Sequence, residues 1–285
     1  MRPNAHILTC TPTYSGDVCA AYAMCLALAS SHCMAHNMIL DPRFAPGFSL
    51  VEYGRNWLVS EFLKTKNATH MFWIDSDLFF QPDKIVAMVN LGLDVVAGVY
   101  TTKHETDPIY PYTALGPVKN GIQEADKVPG GFMCMSRRAV EAVVETCQWH
   151  EVVHNGETRL CPRFFDLYLE GHKLHGEDFI ACARLRHAGF KIWVYPDVNF
   201  QHYGRRAWPA NLAEQLKFED KSKFVGQNNP DAWKKNETES LTHVIYKSAD
   251  RDAGISASGD SGRDAAAELG AGSERSADSQ PVSAG

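Results

Sequence analysis

Two acidic pairs are the residues best suited to chemistry in this chain. Asp75 and Asp77 stand on either side of Ser76, directly after the apolar run Met71-Phe72-Trp73-Ile74. That run is too short for a helix and rich in β formers, so it reads as a buried strand whose end carries both carboxylates. Crowding two carboxylates costs free energy through repulsion and desolvation unless a positive charge joins them, and a divalent cation is the natural candidate. A plain turn, with Asp75 capping the next element and Ser76 and Asp77 solvated, accounts for the same residues. The second pair, Glu177 and Asp178, opens a helical pattern after Gly176. Acidic side chains there suit the helix dipole and the free N–H groups, and a carboxylate in that place can also act as a general base.

Two further features could complement these acids. Arg55 stands near the start of an amphipathic pattern running to Lys64, where its charge opposes the dipole, so it serves either an anion or only solvent. Gly130-Gly131, just before Phe132-Met133-Cys134-Met135, permits close backbone approach to a ligand and equally permits a tight turn.

The elements that must position these residues alternate. His6 to Thr11 reads as a strand, Asp17 to Ser31 as a helix capped by Asp17, apolar nearly all round and hence buried. Met38 to Leu40 is a second strand before a loop from Asp41 to Gly47. Pro82 and Asp83 open a helix through Asn90, and Asp94 to Tyr100 is another strand. Pro108 to Pro117 is a loop or edge strand. A strand and the start of a helix follow Gly131, a helix runs from Glu177 to His187, and strands follow over Phe190 to Pro196 and around His202. Strand–helix alternation of this kind predicts an α/β fold with a mainly parallel sheet, whose ligands bind at the carboxyl ends of the strands.

Composition narrows the function classes. At 285 residues, 45% hydrophobic and 22% charged, the chain can bury a substantial core. A net charge of -6 disfavours general coating of nucleic acid, which needs a basic face. No secretory h-region and no membrane-spanning run is visible, and the eight cysteines show neither CxxC nor zinc-ligand spacing. They read as small core residues of a reducing, cytoplasmic compartment. Beyond residue 247 the sequence is Ala, Gly, Ser and acidic residues with almost nothing large and apolar, which predicts a disordered tail over 248–285.

Taken in order, Thr11-Pro12-Thr13-Tyr14, Arg55-Asn56, Phe72-Trp73-Ile74-Asp75-Ser76-Asp77, Val95-Val96-Ala97-Gly98-Val99-Tyr100, Gly130-Gly131-Phe132, Gly176-Glu177-Asp178-Phe179 and His202 resemble the GT-A class of nucleotide-sugar-dependent glycosyltransferases, in particular family-two-like and Anp1-like bacterial and phage members. The likeness spans about residues 5 to 204 and implies a single GT-A-like domain over 1–247. It implies that Asp77 contacts Mn²⁺ or Mg²⁺ directly, that Asp75 faces the ribose or the metal's water shell, and that His202 is a third ligand. Arg55 would face the nucleotide or its phosphates, and Thr11 and Tyr14 the base and ribose, with Pro12, Thr13 and Ser76 in the same donor-binding set. Gly130, Gly131 and Phe132 would border the donor sugar or acceptor, and Arg205 and Arg206 could clamp diphosphate. Asp178 would be the general base of an inverting transfer, with Glu177 orienting the acceptor.

The implied activity is transfer of a sugar from a UDP- or GDP-linked donor to a hydroxyl acceptor. A surface glycan, a protein side chain and a hydroxylated base in phage DNA all fit, the last disfavoured by the acidic balance. A nucleotidyltransferase shares the sheet and metal carboxylates, but it usually carries a Gly-rich basic loop after the first strand, and Pro12 to Asp17 has one glycine and no base. A non-catalytic nucleotide-sugar or glycan-binding module is the third alternative.

Overall fold

The computed structural model describes residues 4–104, 108–204 and 207–217. The expected tail over 248–285 and the pair Arg205 and Arg206 lie outside them.

The chain begins with β1 (Ala5–Thr13), α1 (Ala20–Ala35), β2 (Met38–Pro46), α2 (Val51–Lys64), β3 (His70–Ile74), β4 (Leu78–Phe80), α3 (Asp83–Asn90) and β5 (Val95–Ala97). It continues with β6 (Thr113–Ala114), β7 (Gln123–Lys127), β8 (Phe132–Ser136), α4 (Arg137–Val144) and the hairpins β9 (Trp149–His154) with β10 (Glu157–Pro162) and β11 (Tyr168–Glu170) with β12 (Lys173–His175). It then runs through α5 (Glu177–His187), β13 (Ile192–Val194), β14 (Phe200–Tyr203), β15 (Ala207–Ala210) and α6 (Leu212–Lys217).

Eight strands form the central sheet in the order β2-β1-β3-β8-β5-β13-β7-β6. β2, β1 and β3 are parallel neighbours, β5 and β13 are parallel neighbours, and β8 runs antiparallel between β3 and β5. β7 also runs antiparallel to both β13 and β6, so six of the eight strands share one direction, giving the mainly parallel α/β sheet that the alternation predicts. Because β8 is reversed, its beginning lies at the edge where β3 ends: Ile74 pairs with Phe132, and the Gly98 N–H bonds to the Phe132 carbonyl. Gly130 and Gly131 are thereby placed beside the end of β3.

Burial makes this edge stiff. Met71, Phe72, Trp73 and Ile74 are all fully buried, and each large apolar side chain removed from water contributes about 1.5–3 kcal/mol. Phe132 packs edge-on against Phe72 and Phe200. A small sheet, β15-β14-β4, adjoins this cluster, with Phe200 opposite Phe80 and His202 opposite Leu78. The Asp75-Ser76-Asp77 segment is thus the crossing from the large sheet to the small one. Among the described residues no helix is long and apolar enough to cross a membrane.

Several boundaries differ from the sequence expectation. Helix α1 starts at Ala20, not Asp17, because the Cys19 N–H is tied to the Ser76 carbonyl and keeps the chain extended to that point; the Cys19 sulfur then accepts from the Tyr22 N–H. Only Tyr22, Cys25, Ala29 and Cys33 of α1 are buried, while Met24, Leu28 and Met34 are exposed, so the helix is covered on one face rather than all round. Strand β2 continues through Pro46, which an edge strand paired on one side tolerates. The Pro108–Pro117 region does supply an edge strand, β6. All eight cysteines are free thiols, and Cys19 and Cys147 are only partly buried.

Candidate active site

The site grows from the end of β3. The Asp75 N–H bonds to the Gly131 carbonyl, which turns the chain as it leaves the sheet. One carboxylate oxygen of Asp75 accepts from Arg55 Nη2 at 3.1 Å, and the other accepts from the Tyr100 hydroxyl at 3.0 Å. Helix α2 begins at Val51, so Arg55 lies in its second turn and not at its start, and it is buried. Its guanidinium rests over the rings of Trp73 and Phe165, 5.1 and 5.4 Å from their centroids. Arg55 Nη1 donates to the Gly130 carbonyl at 3.4 Å, and Nε lies 3.3 Å from Glu177 Oε1. That last N–H is not aimed along the line to the carboxylate, so the contact is an ion pair rather than a hydrogen bond. Burial alone would lower the arginine's pKa, but Asp75, Glu177 and Asp178 outweigh it and raise it. Arg55 is accordingly a counter-ion for three acids. Its charge is met by Asp75 and Glu177.

Asp178 is placed by the first turn of α5. Its Oδ1 accepts from the Phe179 N–H at 2.8 Å and its Oδ2 from the Gly130 N–H at 3.2 Å. Burial, with help from the neighbouring Glu177 charge, pushes its pKa up to about 6, against the lowering pull of Arg55 and the two backbone donors. A carboxylate with a pKa near neutrality is matched to taking a proton from a hydroxyl. The glycine pair is a steric requirement of this arrangement. A Cβ on Gly131 would fall 2.1 Å from Asp75 Oδ2 and 2.2 Å from the Tyr100 oxygen, and one on Gly130 would fall 3.2 Å from Asp178 Cβ.

Asp77 belongs to a second group. Its Oδ2 accepts from Lys103 Nζ at 2.5 Å, and its Oδ1 lies 3.6 Å from His202 Nε2. Burial would raise the Asp77 pKa, yet His202 and Lys103 together hold it below the usual carboxylate range. His202 Nδ1 is 2.8 Å from the Thr101 carbonyl, which can only accept. In the neutral ring the proton is therefore on Nδ1, and the lone pair of Nε2 faces the Asp77 carboxylate. A protonated ring donates from Nε2 toward Asp77 and lowers its pKa, whereas the neutral ring leaves two acceptors 3.6 Å apart that a metal cation between them would satisfy; a backbone-anchored Nδ1–H is the usual support of a ligating imidazole.

Asp75, Asp77 and His202 do not converge. Asp75 is held by Arg55 and Tyr100, and among the described residues no group of three His, Cys, Asp or Glu side chains is arranged to hold a metal. Asp77 and His202 fit a hard cation that keeps waters and ligand oxygens in its remaining positions; Asp75 stands behind them. Two other side chains expected at the donor are enclosed. The Thr11 hydroxyl is fully buried and lies 2.6 Å from the Tyr22 hydroxyl, and the Phe132 ring is core, so neither side chain is open to a ligand. At the end of β1, Pro12 is partly buried, Thr13 buried with its hydroxyl unpaired, and Tyr14 80% exposed. Ser76 is partly buried, with its carbonyl on Cys19.

Tyr100, Thr101 and Lys103 are the site residues that sequence reasoning missed. Their signal was position: they follow β5 at the same sheet edge as Asp75, where parallel strands present ligand-facing residues.

No protein-family model matches this chain, and no curated protein matches it. Similar chains do occur among solved structures. A197 from STIV is 15% identical, with 70% of this chain and 86% of that one covered and a TM-score of 0.45. A glycosyltransferase involved in the glycosylation of the major capsid of PBCV-1 is 13% identical, over 47% of this chain and 62% of its own, with a TM-score of 0.30. UDP-glucose pyrophosphorylase complexed with UDP-glucose is 9% identical, over 74% and 95%, with a TM-score of 0.39. At scores below 0.5, none of the three bears on the chemistry.

Proposed function

We propose that this chain is a metal-dependent glycosyltransferase that moves a sugar from a nucleoside diphosphate donor to a hydroxyl acceptor. The observation that carries the reading is the Asp77–His202 pair, a carboxylate oxygen and an imidazole nitrogen 3.6 Å apart, with the other ring nitrogen held by the Thr101 carbonyl. Asp77 and His202 would hold Mn²⁺ or Mg²⁺, which supplies positive charge for the departing diphosphate. Asp75, fixed by Arg55 and Tyr100, keeps the second carboxylate of the motif behind that pair.

Asp178 supports the transfer half of the reading. Held by the Gly130 and Phe179 N–H groups, its carboxylate takes the acceptor hydroxyl proton as the oxygen bonds to the anomeric carbon. The bond from that carbon to the donor oxygen breaks, and its electron pair leaves with the nucleoside diphosphate. A single displacement of this kind inverts the anomeric centre. Glu177, ion-paired with Arg55, would orient the acceptor.

A thermal-shift panel of UDP- and GDP-linked sugars with and without Mn²⁺ tests the reading. The expected result is stabilisation by a donor only when metal is present, with the metal-dependent part abolished in Asp77→Ala. Indifference of the wild-type protein to every donor and to Mn²⁺ contradicts it.

A further inference from the structure

We propose that Lys103 is an internal counter-ion which a divalent cation displaces from Asp77, and that its release couples cation binding to diphosphate binding. The inference rests on the assignment of Asp77 and His202 given above and concerns a residue outside that pair.

The two acids of the Asp-Ser-Asp segment have cation partners of opposite character. Asp75 is paired with Arg55, whose side chain is 5% exposed and lies over the adjoining rings of Trp73 and Phe165. Asp77 is paired with Lys103, whose side chain is 35% exposed on a flexible four-carbon stem. An ammonium is a compact charge with rotatable donors, and a half-exposed ion pair of this kind is separated at little cost. Arg55 is therefore fixed and Lys103 releasable.

Position gives the release its consequence. Lys103 lies on Asp77 Oδ2, while Oδ1 faces His202. A cation drawing on this carboxylate meets the ammonium as a competitor for the same charge. Thr101, two residues before Lys103, holds the His202 ring through its carbonyl, and Tyr100 holds Asp75. The backbone of residues 100–103 thus stays at the site when the ammonium leaves Asp77, and a freed lysine there is available to an anion. Lysine binds phosphate as a point charge. Cation binding alone must break the Asp77–Lys103 pair; cation binding with a diphosphate gives Lys103 a new partner. By linkage, Mn²⁺ then tightens nucleotide binding by the same factor as nucleotide tightens Mn²⁺.

Isothermal titration of the full chain with Mn²⁺ alone, with UDP or GDP alone, and with each in the presence of the other tests the proposal. For Lys103→Met we expect Mn²⁺ alone to bind about fivefold or more tighter than to wild type, and the coupling between Mn²⁺ and nucleoside diphosphate to fall toward unity. Lys103→Arg keeps a cation and should retain weak Mn²⁺ binding in the absence of nucleotide. Equal Mn²⁺ affinity for wild type and Lys103→Met, or unchanged coupling, overturns the role of Lys103 and leaves the Asp77–His202 site standing. Absence of Mn²⁺ binding to either protein, with or without nucleotide, overturns both.

Discussion

Asp178 sits where two opposing demands meet. Its backbone donors and Arg55 favour the carboxylate, while burial and the Glu177 charge favour the acid, and the second pair prevails, with a pKa of about 6. A carboxyl whose folded-state pKa exceeds its unfolded value holds its proton longer in the folded protein. Its contribution to stability is complete below the unfolded pKa and is lost as pH rises through about 6. A shift of that size corresponds to roughly 3 kcal/mol at most. Asp178→Asn removes this titration. The melting temperature of the variant relative to wild type should therefore rise between pH 4 and pH 7.5, by about 2–4 °C per kcal/mol for a domain of this size. A difference that stays constant over that range would show that Asp178 is not held in the acid form.

At the scale of elements, the reversed strand β8 decides the site. Had β8 run with its neighbours, Ser136 rather than Phe132 would lie at the edge where β3 ends, and the Gly130-Gly131 turn would be at the far side of the sheet. The turn instead packs against Asp75, Tyr100, Arg55 and Asp178. Gly131→Ala would force Asp75 and Tyr100 apart, at a cost of about 1–3 kcal/mol typical of overpacking; chemical denaturation should read that loss, and an unchanged midpoint would mean the turn has room to spare. The sequence made the strand at Met71–Ile74 and the Glu177 helix legible, because each has a local signature; that the glycine pair abuts Asp75 and Tyr100 has none. It could not show that Arg55 lies inside α2 rather than at its start, because Leu50 offers no side-chain cap to mark the boundary. Nor could it show that Thr11 is sequestered by Tyr22 or Phe132 by Phe72 and Phe200. Those partners are distant in sequence, and only the packed sheet brings them together.

Across the whole molecule, the Asp-Ser-Asp segment divides its two carboxylates between two sheets. Asp75 closes the large sheet and is locked to Arg55 and Tyr100; Asp77 opens the small one and faces His202 of β14, with Lys103 as its cation. This division explains why a motif that reads as one metal site in sequence is two separate groups in the fold. The proposed chemistry depends on one contact, a cation shared by Asp77 and His202. Pulsed electron paramagnetic resonance of Mn²⁺ bound to the full chain, in the presence of UDP or GDP, reads that contact directly. A nitrogen coupling on the bound Mn²⁺ is expected in wild type and should be lost in His202→Ala; bound Mn²⁺ with no nitrogen coupling, or with the same coupling in His202→Ala, would contradict a cation shared by Asp77 and His202.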